Sequence, residues 1–255
     1  MPRPLVLCSN DDGIDSPHLI GLADAIERFA DVLVVAPERQ RSAASHAITL
    51  HKPLRLSERA PRRYSLSGTP VDCVYLGILK LCDRVPAVVV SGINDGFNLG
   101  SDVFYSGTVA AAVEGALRGS VGVACSLAPR AKHADAAIAF AAGVVRAAID
   151  HPLPAGTVLN VNMPDTGSDR YEWTTLGQRR YENDVAERQD PRGRPYYWVG
   201  GGPVGHDDVP GSDCVAVATG HNSITPMHLD LTDRNHITKP PWDVDGYSVV
   251  IGSAR

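Results

Sequence analysis

Apolar residues recur at two different spacings along roughly the first two-thirds of this chain. Short β-branched runs, which are typical of buried strands, lie at Leu5–Cys8, Val32–Val35, Ala87–Val90, Val121–Cys125 and Val158–Val161. Between them, the three- and four-residue spacing of amphipathic helices extends over Pro17–Phe29, Thr69–Cys82, Thr108–Arg118 and Ala134–Ile149. Thr69 followed by Pro70 is a typical helix start. Thr49–Leu56 and Tyr64–Ser67 are expected to form an extended pair joined by a basic turn.

Strands that alternate with helices at this spacing predict right-handed βαβ units. We therefore expect an α/β fold, a three-layer αβα sandwich with a mainly parallel, Rossmann-like sheet. Residues 170–205 are rich in Tyr, Trp, Arg and Gly, which favours a β-hairpin extension that contacts another subunit. The expected division is a catalytic core at 1–165, followed at 166–255 by a hairpin arm and a C-terminal oligomerisation region that pack with the core.

Composition narrows the function classes. The 255 residues are 44% hydrophobic and 21% charged, with a net charge of −5. This charge argues against a nucleic-acid or anionic-membrane binder, and an anionic substrate would need a local cation. The five cysteines form no CxxC pair, so a thiolate zinc site is not expected. No signal peptide or membrane-spanning run is found, and we expect a cytoplasmic protein.

Two adjacent carboxylates, Asp11 and Asp12, follow the first predicted strand in the stretch SNDDG. Two carboxylates about 4 Å apart repel by roughly 4 kcal/mol at an effective dielectric constant of about 20. A proton or a cation must relieve that repulsion, and with an Asn and a Ser the pair would suit Mg²⁺ or Mn²⁺. Alternatively, the stretch is only an Asx turn that ends the strand.

Two further strand ends carry polar residues. The Gly-rich loop in Val88–Ala112 leads through Ser106, Gly107 and Thr108 into a helix, where backbone N–H groups and the helix dipole could bind a phosphate. Simple capping of that helix is the alternative. The third loop, within Ala36–Leu50, offers a hydroxyl, two guanidinium groups and an imidazole from Ser42, Arg39, Arg41 and His46. A solvated surface role is the alternative for each of these side chains taken alone. Because all three loops follow strands of a parallel sheet, they are expected to open on one edge.

Other catalytic patterns are missing from the sequence. It contains no GxSxG elbow of a serine hydrolase and no HExxH zinc motif. The adjacent acids also differ from the DxD arrangement of a phosphoaspartate phosphatase of the haloacid dehalogenase type.

Taken together, these segments resemble the SurE (survival protein E) family of metal-dependent 5′/3′-nucleotidases. The matching stretches occur in the family's order from residue 5 to about 232: SNDDGIDSP, VVAPERQRSAASHAITL, SGTPVDCVYLG, VVVSGINDGFNLG, YSGTVAAAVEG, LNVNMP, DPRGRPYYW and GHNSITPM. One departure is His18, where a glycine commonly follows the proline.

The resemblance implies one Mg²⁺ or Mn²⁺ ion per subunit, with ligands from Asp11, Asp12, Ser42 and Asn94. It implies phosphate contacts from Asn98, Ser106, Gly107 and Thr108, and a homodimer or homotetramer with exchanged arms. We expect hydrolysis of nucleoside 5′- and 3′-monophosphates by a metal-activated water that Asp11 or Asp12 orients or deprotonates. An exopolyphosphatase, a broad-specificity acid phosphatase, a non-enzymatic nucleotide-binding regulator and a structural oligomer remain alternatives.

Overall fold

The computed structural model of the chain describes residues 3–154, 156–181, 185–199, 204–234 and 236. The strands are β1 Leu5–Ser9, β2 Asp31–Pro37, β3 Leu56–Ala60, β4 Arg63–Leu66, β5 Val88–Asp95, β6 Val121–Leu127, β7 Thr157–Met163, β8 Tyr171–Trp173, β9 Arg179–Tyr181, β10 Val185–Gln189, β11 Pro195–Val199, β12 Val204–His206 and β13 Asn222–His228. The helices are α1 Pro17–Glu27, α2 Pro70–Leu76, α3 Gly107–Leu117, α4 Ala134–Asp150 and α5 Asp213–Ala218, with a π-helical turn at Gly77–Leu81 and a 3₁₀ turn at Gly100–Phe104.

Within the described residues, nine strands form one sheet in the order β3-β4-β2-β1-β5-β6-β7-β13-β8. The six strands from β4 to β7 in that order are parallel, whereas β3 and β13 run antiparallel to their neighbours β4 and β7. The chain leaves β1 for β2 on one side and reaches β5 on the other. β1 therefore lies where the strand order reverses, which is where ligands bind in open α/β sheets.

Helices cover both faces of this sheet, which confirms the predicted α/β fold. On one face, α1 and α4 bury their apolar stripes against alternate residues of β1, such as Val6 and Cys8. On the other face, α2 and α3 pack against Leu5 and Leu7 of the same strand. Because both faces of β1 are buried, its sequence is continuously apolar until the strand ends.

The start of α2 shows how the sequence sets a helix boundary. The Thr69 hydroxyl accepts a hydrogen bond from the N–H of Asp72 (3.1 Å), and the Asp72 carboxylate accepts one from the N–H of Thr69 (2.8 Å). This capping box, with Pro70 in the first turn, confirms the predicted start.

The predicted extended pair is confirmed as the antiparallel strands β3 and β4, but the predicted start at Thr49 is wrong, because β3 begins only at Leu56. The N–H and hydroxyl of Thr49 both donate to the Asp72 carboxylate, at 2.8 and 2.6 Å, so this backbone is tied to the helix cap. His51 then adopts a φ of +63°, which interrupts an extended chain.

Residues beyond the predicted core contribute both to the sheet and to an arm. β13 and β8 extend the main sheet, while β10 and β11 form a separate antiparallel pair. Every residue of β10 and β11 is exposed. In the described part of the chain, none of the helices is long and apolar enough to cross a membrane.

Candidate active site

The turn after β1 is built by Asn10, which is fully buried. Its Oδ1 accepts from the N–H of Gly13 (3.1 Å), and its Nδ2 donates to the Gly13 carbonyl (3.0 Å). Gly13 has a φ of +105°, a conformation that side chains with a Cβ rarely adopt. Asn10 therefore forms the Asx turn that the sequence offered as the alternative. Asp11 and Asp12 are the two residues inside this turn.

Asp11 contacts the first turn of α3 directly. Only 6% of Asp11 is exposed, and its Oδ1 accepts a hydrogen bond from the buried hydroxyl of Thr108 (2.6 Å). Gly107 permits this approach, because a Cβ on Gly107 would lie 3.3 Å from the Cβ of Asp11. Gly107 and Thr108 thus bring the N-terminus of α3 against the carboxylate.

The two carboxyl groups have unusual protonation properties. Burial raises the pKa of Asp11 to about 6; the hydrogen bond from Thr108 opposes this rise, and the charge of Asp12 adds to it. Burial also raises the pKa of Asp12, against a long hydrogen bond from the N–H of Asp95 (3.4 Å). The pair therefore lies in a place where negative charge is costly without a cation.

A single cavity of about 290 Å³ brings together six of the eight residues predicted from the sequence. These are Asp11, Asp12, Ser42, Asn94, Asn98 and Ser106. The remaining two, Gly107 and Thr108, adjoin the cavity through their contacts with Asp11. Three separate loops, which follow β1, β2 and β5, thus meet at one edge of the sheet.

The loop that carries Ser42 is fastened to the other two. The N–H of Arg41 donates to the carbonyl of Asp11 (2.7 Å), and the Ser45 hydroxyl donates to the carbonyl of Phe104 (2.7 Å). His46 pairs with the buried Glu114 of α3 at 3.1 Å. Arg41, bonded to the Ser67 carbonyl, and His46 are thereby engaged in holding the loop.

Arg39, the other cation predicted in this loop, faces a neighbouring cavity of about 440 Å³. His18, where the chain departs from the family pattern, lines the same cavity. Asp12 lines both cavities and therefore lies between them.

The predicted phosphate-contacting residues are held rigidly. Ser106 is the N-cap of α3, and its hydroxyl accepts from the N–H of Val109 (3.0 Å). Asn98 is buried; its Nδ2 donates to the Ser126 hydroxyl (2.7 Å) and its N–H donates to Asn162 (2.8 Å). The capping alternative for Ser106 is thus true, and Gly107 and Thr108, the first residues of α3, keep N–H groups without intrahelical acceptors next to Asp11.

Several residues of the cavity were missed by sequence reasoning. Asp95, Asp102, Tyr105 and Tyr181 also line it. Asp95 and Tyr105 adjoin predicted residues, so a wider reading of the same motifs could have found them. Asp102 and Tyr181 are far apart along the chain, and no local pattern indicates their contact.

The residues around the cavity fit a hard divalent cation. They supply two carboxylates, the hydroxyl of Ser42 and the amide oxygen of Asn94, which are the ligand types of Mg²⁺ and Mn²⁺. The Nδ2 of Asn94 donates to the Gly96 carbonyl (2.7 Å), so the other amide atom, Oδ1, remains for a ligand. Across the described ranges, no group of three or more His, Cys, Asp or Glu residues is placed to hold a metal ion.

Comparison with known proteins identifies the family of this chain. The family model for survival protein SurE matches residues 6–183. The chain belongs to the SurE family. Its relatives include the 5′-nucleotidase SurE of Anaeromyxobacter dehalogenans strain 2CP-C, which is 52% identical over 247 residues that cover 95% of this chain and 97% of that protein. The 5′-nucleotidase SurE of Myxococcus xanthus strain DK1622 is 47% identical over 248 residues, 95% of each chain.

The fold is shared with a solved SurE structure. The crystal structure of the SurE protein from Aquifex aeolicus superposes with a TM-score of 0.81 at 35% sequence identity, covering 92% of this chain and 97% of that one. The likeness to SurE proteins therefore extends beyond the residues that the family model matches.

Proposed function

We propose that this SurE-family chain is a 5′-nucleotidase, a divalent-metal-dependent phosphomonoesterase that hydrolyses nucleoside 5′- and 3′-monophosphates to nucleoside and phosphate. The observation that supports it is the shared cavity in which Asp11 and Asp12 meet Ser42, Asn94 and the N-terminus of α3. Relatives that share about half of its residues are named 5′-nucleotidases.

The N-terminus of α3 would bind the phosphoryl group. The backbone N–H groups of Gly107 and Thr108 lie in the first turn, where they lack intrahelical acceptors. The helix dipole adds partial positive charge at the same place. Asn98, fixed by its buried hydrogen bonds, would contact the substrate from the adjacent loop.

Asp11, Asp12, Ser42 and Asn94 would hold one Mg²⁺ or Mn²⁺ ion. When bound, the ion offsets the charge of the carboxylates, polarises a phosphoryl oxygen and lowers the pKa of water. The hydroxyl of Thr108 holds the Oδ1 of Asp11 by a hydrogen bond. Asp12 is more exposed, and among the described residues it accepts only the long hydrogen bond from the N–H of Asp95. We assign it the role of orienting the attacking water and accepting its proton.

Release of inorganic phosphate from AMP by the purified chain tests this proposal. We expect turnover with Mn²⁺ or Mg²⁺, its loss with EDTA, and its recovery when the metal is restored. Asp12→Asn should remove the activity, while Asp83→Asn should keep it, because Asp83 is an exposed carboxylate paired with Arg84 before β5. Turnover that survives both EDTA and Asp12→Asn would refute the proposal.

A further inference from the structure

The cavity that contains Asp11 and Asp12 is also lined by aromatic rings from Phe97, Tyr105 and Tyr181. Tyr105 and Tyr181 are 69% and 54% exposed, and both line the cavity. Neither binding of the phosphoryl group nor the chemistry at Asp12 requires an aromatic ring. The rings therefore call for a different role.

Tyr181 reaches the cavity from β9, far along the chain from the catalytic loops. Its hydroxyl donates to the Oδ1 of Asp102 in the 3₁₀ turn, and Arg179 donates to the Oδ2 of the same carboxylate at 3.0 Å. The side chains of Arg179 and Asp102 are only 15% and 14% exposed. A mostly buried ion pair thus holds the tyrosine.

A second carboxylate fastens the same two segments. Asp213 is fully buried and accepts hydrogen bonds from the N–H of Gly100 (2.9 Å) and the N–H of Gly177 (2.8 Å). Gly100 begins the 3₁₀ turn and Gly177 lies just before β9. The carboxylates of Asp102 and Asp213 thus join the 3₁₀ turn and the segment around β9 at two points. These contacts fix the position of Tyr181 beside the cavity.

The backbone of Tyr105 is also fixed by hydrogen bonds. Its N–H donates to the Asp102 carbonyl (3.0 Å), and its own carbonyl accepts from the N–H of Ser45 (3.2 Å). The next residue is Ser106, the N-cap of the proposed phosphate-binding helix. An exposed phenol ring therefore adjoins the position of the phosphoryl group.

A nucleoside monophosphate carries a flat aromatic base one sugar away from its phosphate. Stacking of a base on an aromatic side chain strengthens binding by about 5- to 150-fold, and it tolerates any base because every base has a π-face. We infer that Tyr105 and Tyr181 bind the base of the substrate by stacking, and that this contact makes the enzyme prefer nucleotides to phosphomonoesters without a base. The inference rests on the proposed function and adds the determinant of its substrate class.

One competing location for the base is the neighbouring cavity that Asp12 also lines. It is lined by Asp12, Asp15, Glu38, Arg39 and His18, and none of its described lining residues is Phe, Tyr or Trp. Its charged groups would suit a polar ligand better than the face of a base. We therefore place the base on the tyrosine side of Asp12.

AMP and ribose 5-phosphate form a matched substrate pair, because they share the sugar and the phosphate and differ only in the base. We expect the wild-type chain to favour AMP about tenfold in kcat/KM, in the lower part of the stacking range. Tyr181→Ala and Tyr105→Ala should each reduce this preference severalfold through a higher KM for AMP, while ribose 5-phosphate is hydrolysed as before. Tyr181→Phe keeps the ring and should keep most of the preference.

Tyr197→Ala is the matched control, since Tyr197 is 58% exposed on β11 and does not line the cavity. A preference for AMP that survives both alanine variants, or that is lost in His18→Ala or Arg39→Ala instead, would overturn the inference. If the wild-type chain hydrolyses neither compound, the proposed function fails. In that case, the affinities of the chain for AMP and ribose 5-phosphate, measured by calorimetry, still test the stacking contact. The contact predicts that AMP binds more tightly than ribose 5-phosphate and that Tyr181→Ala abolishes this difference.

Discussion

Polar residues are usually exposed and apolar residues usually buried, and two regions of this chain depart from that rule in opposite ways. They are the active-site edge, where the loops after β1, β2 and β5 meet, and the arm formed by β10 and β11. At the edge, the polar side chains of Asn10, Asp11 and Thr108 are buried. On the arm, Trp198 is 58% exposed and Val199 is 82% exposed. Burial of a polar group costs stability unless the group is hydrogen-bonded or binds a ligand, whereas a cluster of exposed apolar groups marks an interaction surface. The first region is therefore suited to a small polar ligand, and the second to another protein surface.

The largest expected effect is at the edge. Asp12→Asn removes the proposed general base and replaces a negatively charged metal ligand by a neutral amide. Loss of one group that stabilises transition-state charge costs about 10²–10³-fold, and Asp12 has two roles, so activity should fall at least about 10³-fold. Phosphate release from AMP measures the loss, and circular dichroism confirms the fold. Near-normal turnover by a folded Asp12→Asn variant would contradict this assignment.

The buried charge of Asp11 should make the metal-free protein less stable as the pH rises. The pKa of Asp11 in the folded chain is about 6, above its ordinary value of about 4, so the folded chain binds this proton more tightly than the unfolded chain. Its stabilising effect is complete below pH 4 and is lost as the pH passes through 6, which is worth about 3 kcal/mol. Urea unfolding in EDTA at pH 4.5 and 7.5 measures the loss.

Asp11→Asn should flatten this part of the pH dependence, and Mn²⁺ should restore stability to the wild type at pH 7.5 more than at pH 4.5. Asp83→Asn serves as the control, with an unchanged pH profile. An equal pH slope in the wild type and in Asp11→Asn would show that Asp11 does not bear a destabilised charge.

A smaller effect is expected from Thr108→Val, which keeps the shape of the side chain but removes the hydrogen bond to Asp11. Loss of a supporting hydrogen bond of this kind costs about 10–100-fold in activity. The pKa of Asp11 should rise further, because its charged form loses a donor. Phosphate release over pH 6–9 should therefore show the greatest deficit at the acidic end.

The control for that experiment is Thr157→Val. Thr157 is also buried, and its hydroxyl donates to the Pro154 carbonyl away from the cavity. If both valine variants lose activity equally and at every pH, the hydroxyl of Thr108 has only a structural role.

The arm should show the smallest effect on the stability of one chain. Trp198→Ser should change the free energy of unfolding by no more than about 0.5 kcal/mol, as is usual at exposed positions. If the arm joins subunits, as the sequence analysis predicts, sedimentation should instead shift towards smaller species. Leu79→Ser, at a residue that is 51% exposed outside the arm, should leave the assembly unchanged. Identical sedimentation of the wild type and both variants would remove the proposed role of the arm.

Much of the edge could be predicted from the sequence because each of its parts obeys a local rule. The apolar run of β1 stops where Asn10 forms its turn, and Ser106 caps α3 with its own hydroxyl. Parallel strands then bring these loops to the same edge. Six predicted residues thus line one cavity, and their roles in binding metal and phosphate stay predictions.

The errors arise where distant contacts override the local pattern. Thr49 has the β-branched side chain of a strand former, yet it donates to Asp72 in a helix cap 23 residues away. The contact between Tyr181 and Asp102 spans 79 residues and joins two segments of unremarkable sequence. Such contacts depend on how the elements pack against one another, and the spacing of residues along the chain does not predict this packing.

The central claim is that oxygen atoms from three loops bind one divalent ion beside the N-terminus of α3. Crystals grown with Mn²⁺ and measured for its anomalous scattering test this most directly. We predict one peak per chain, in contact with oxygen atoms of Asp11, Asp12, Ser42 and Asn94. A peak bound elsewhere, or none between Asp11 and Asp12 at saturating Mn²⁺, would contradict the claim.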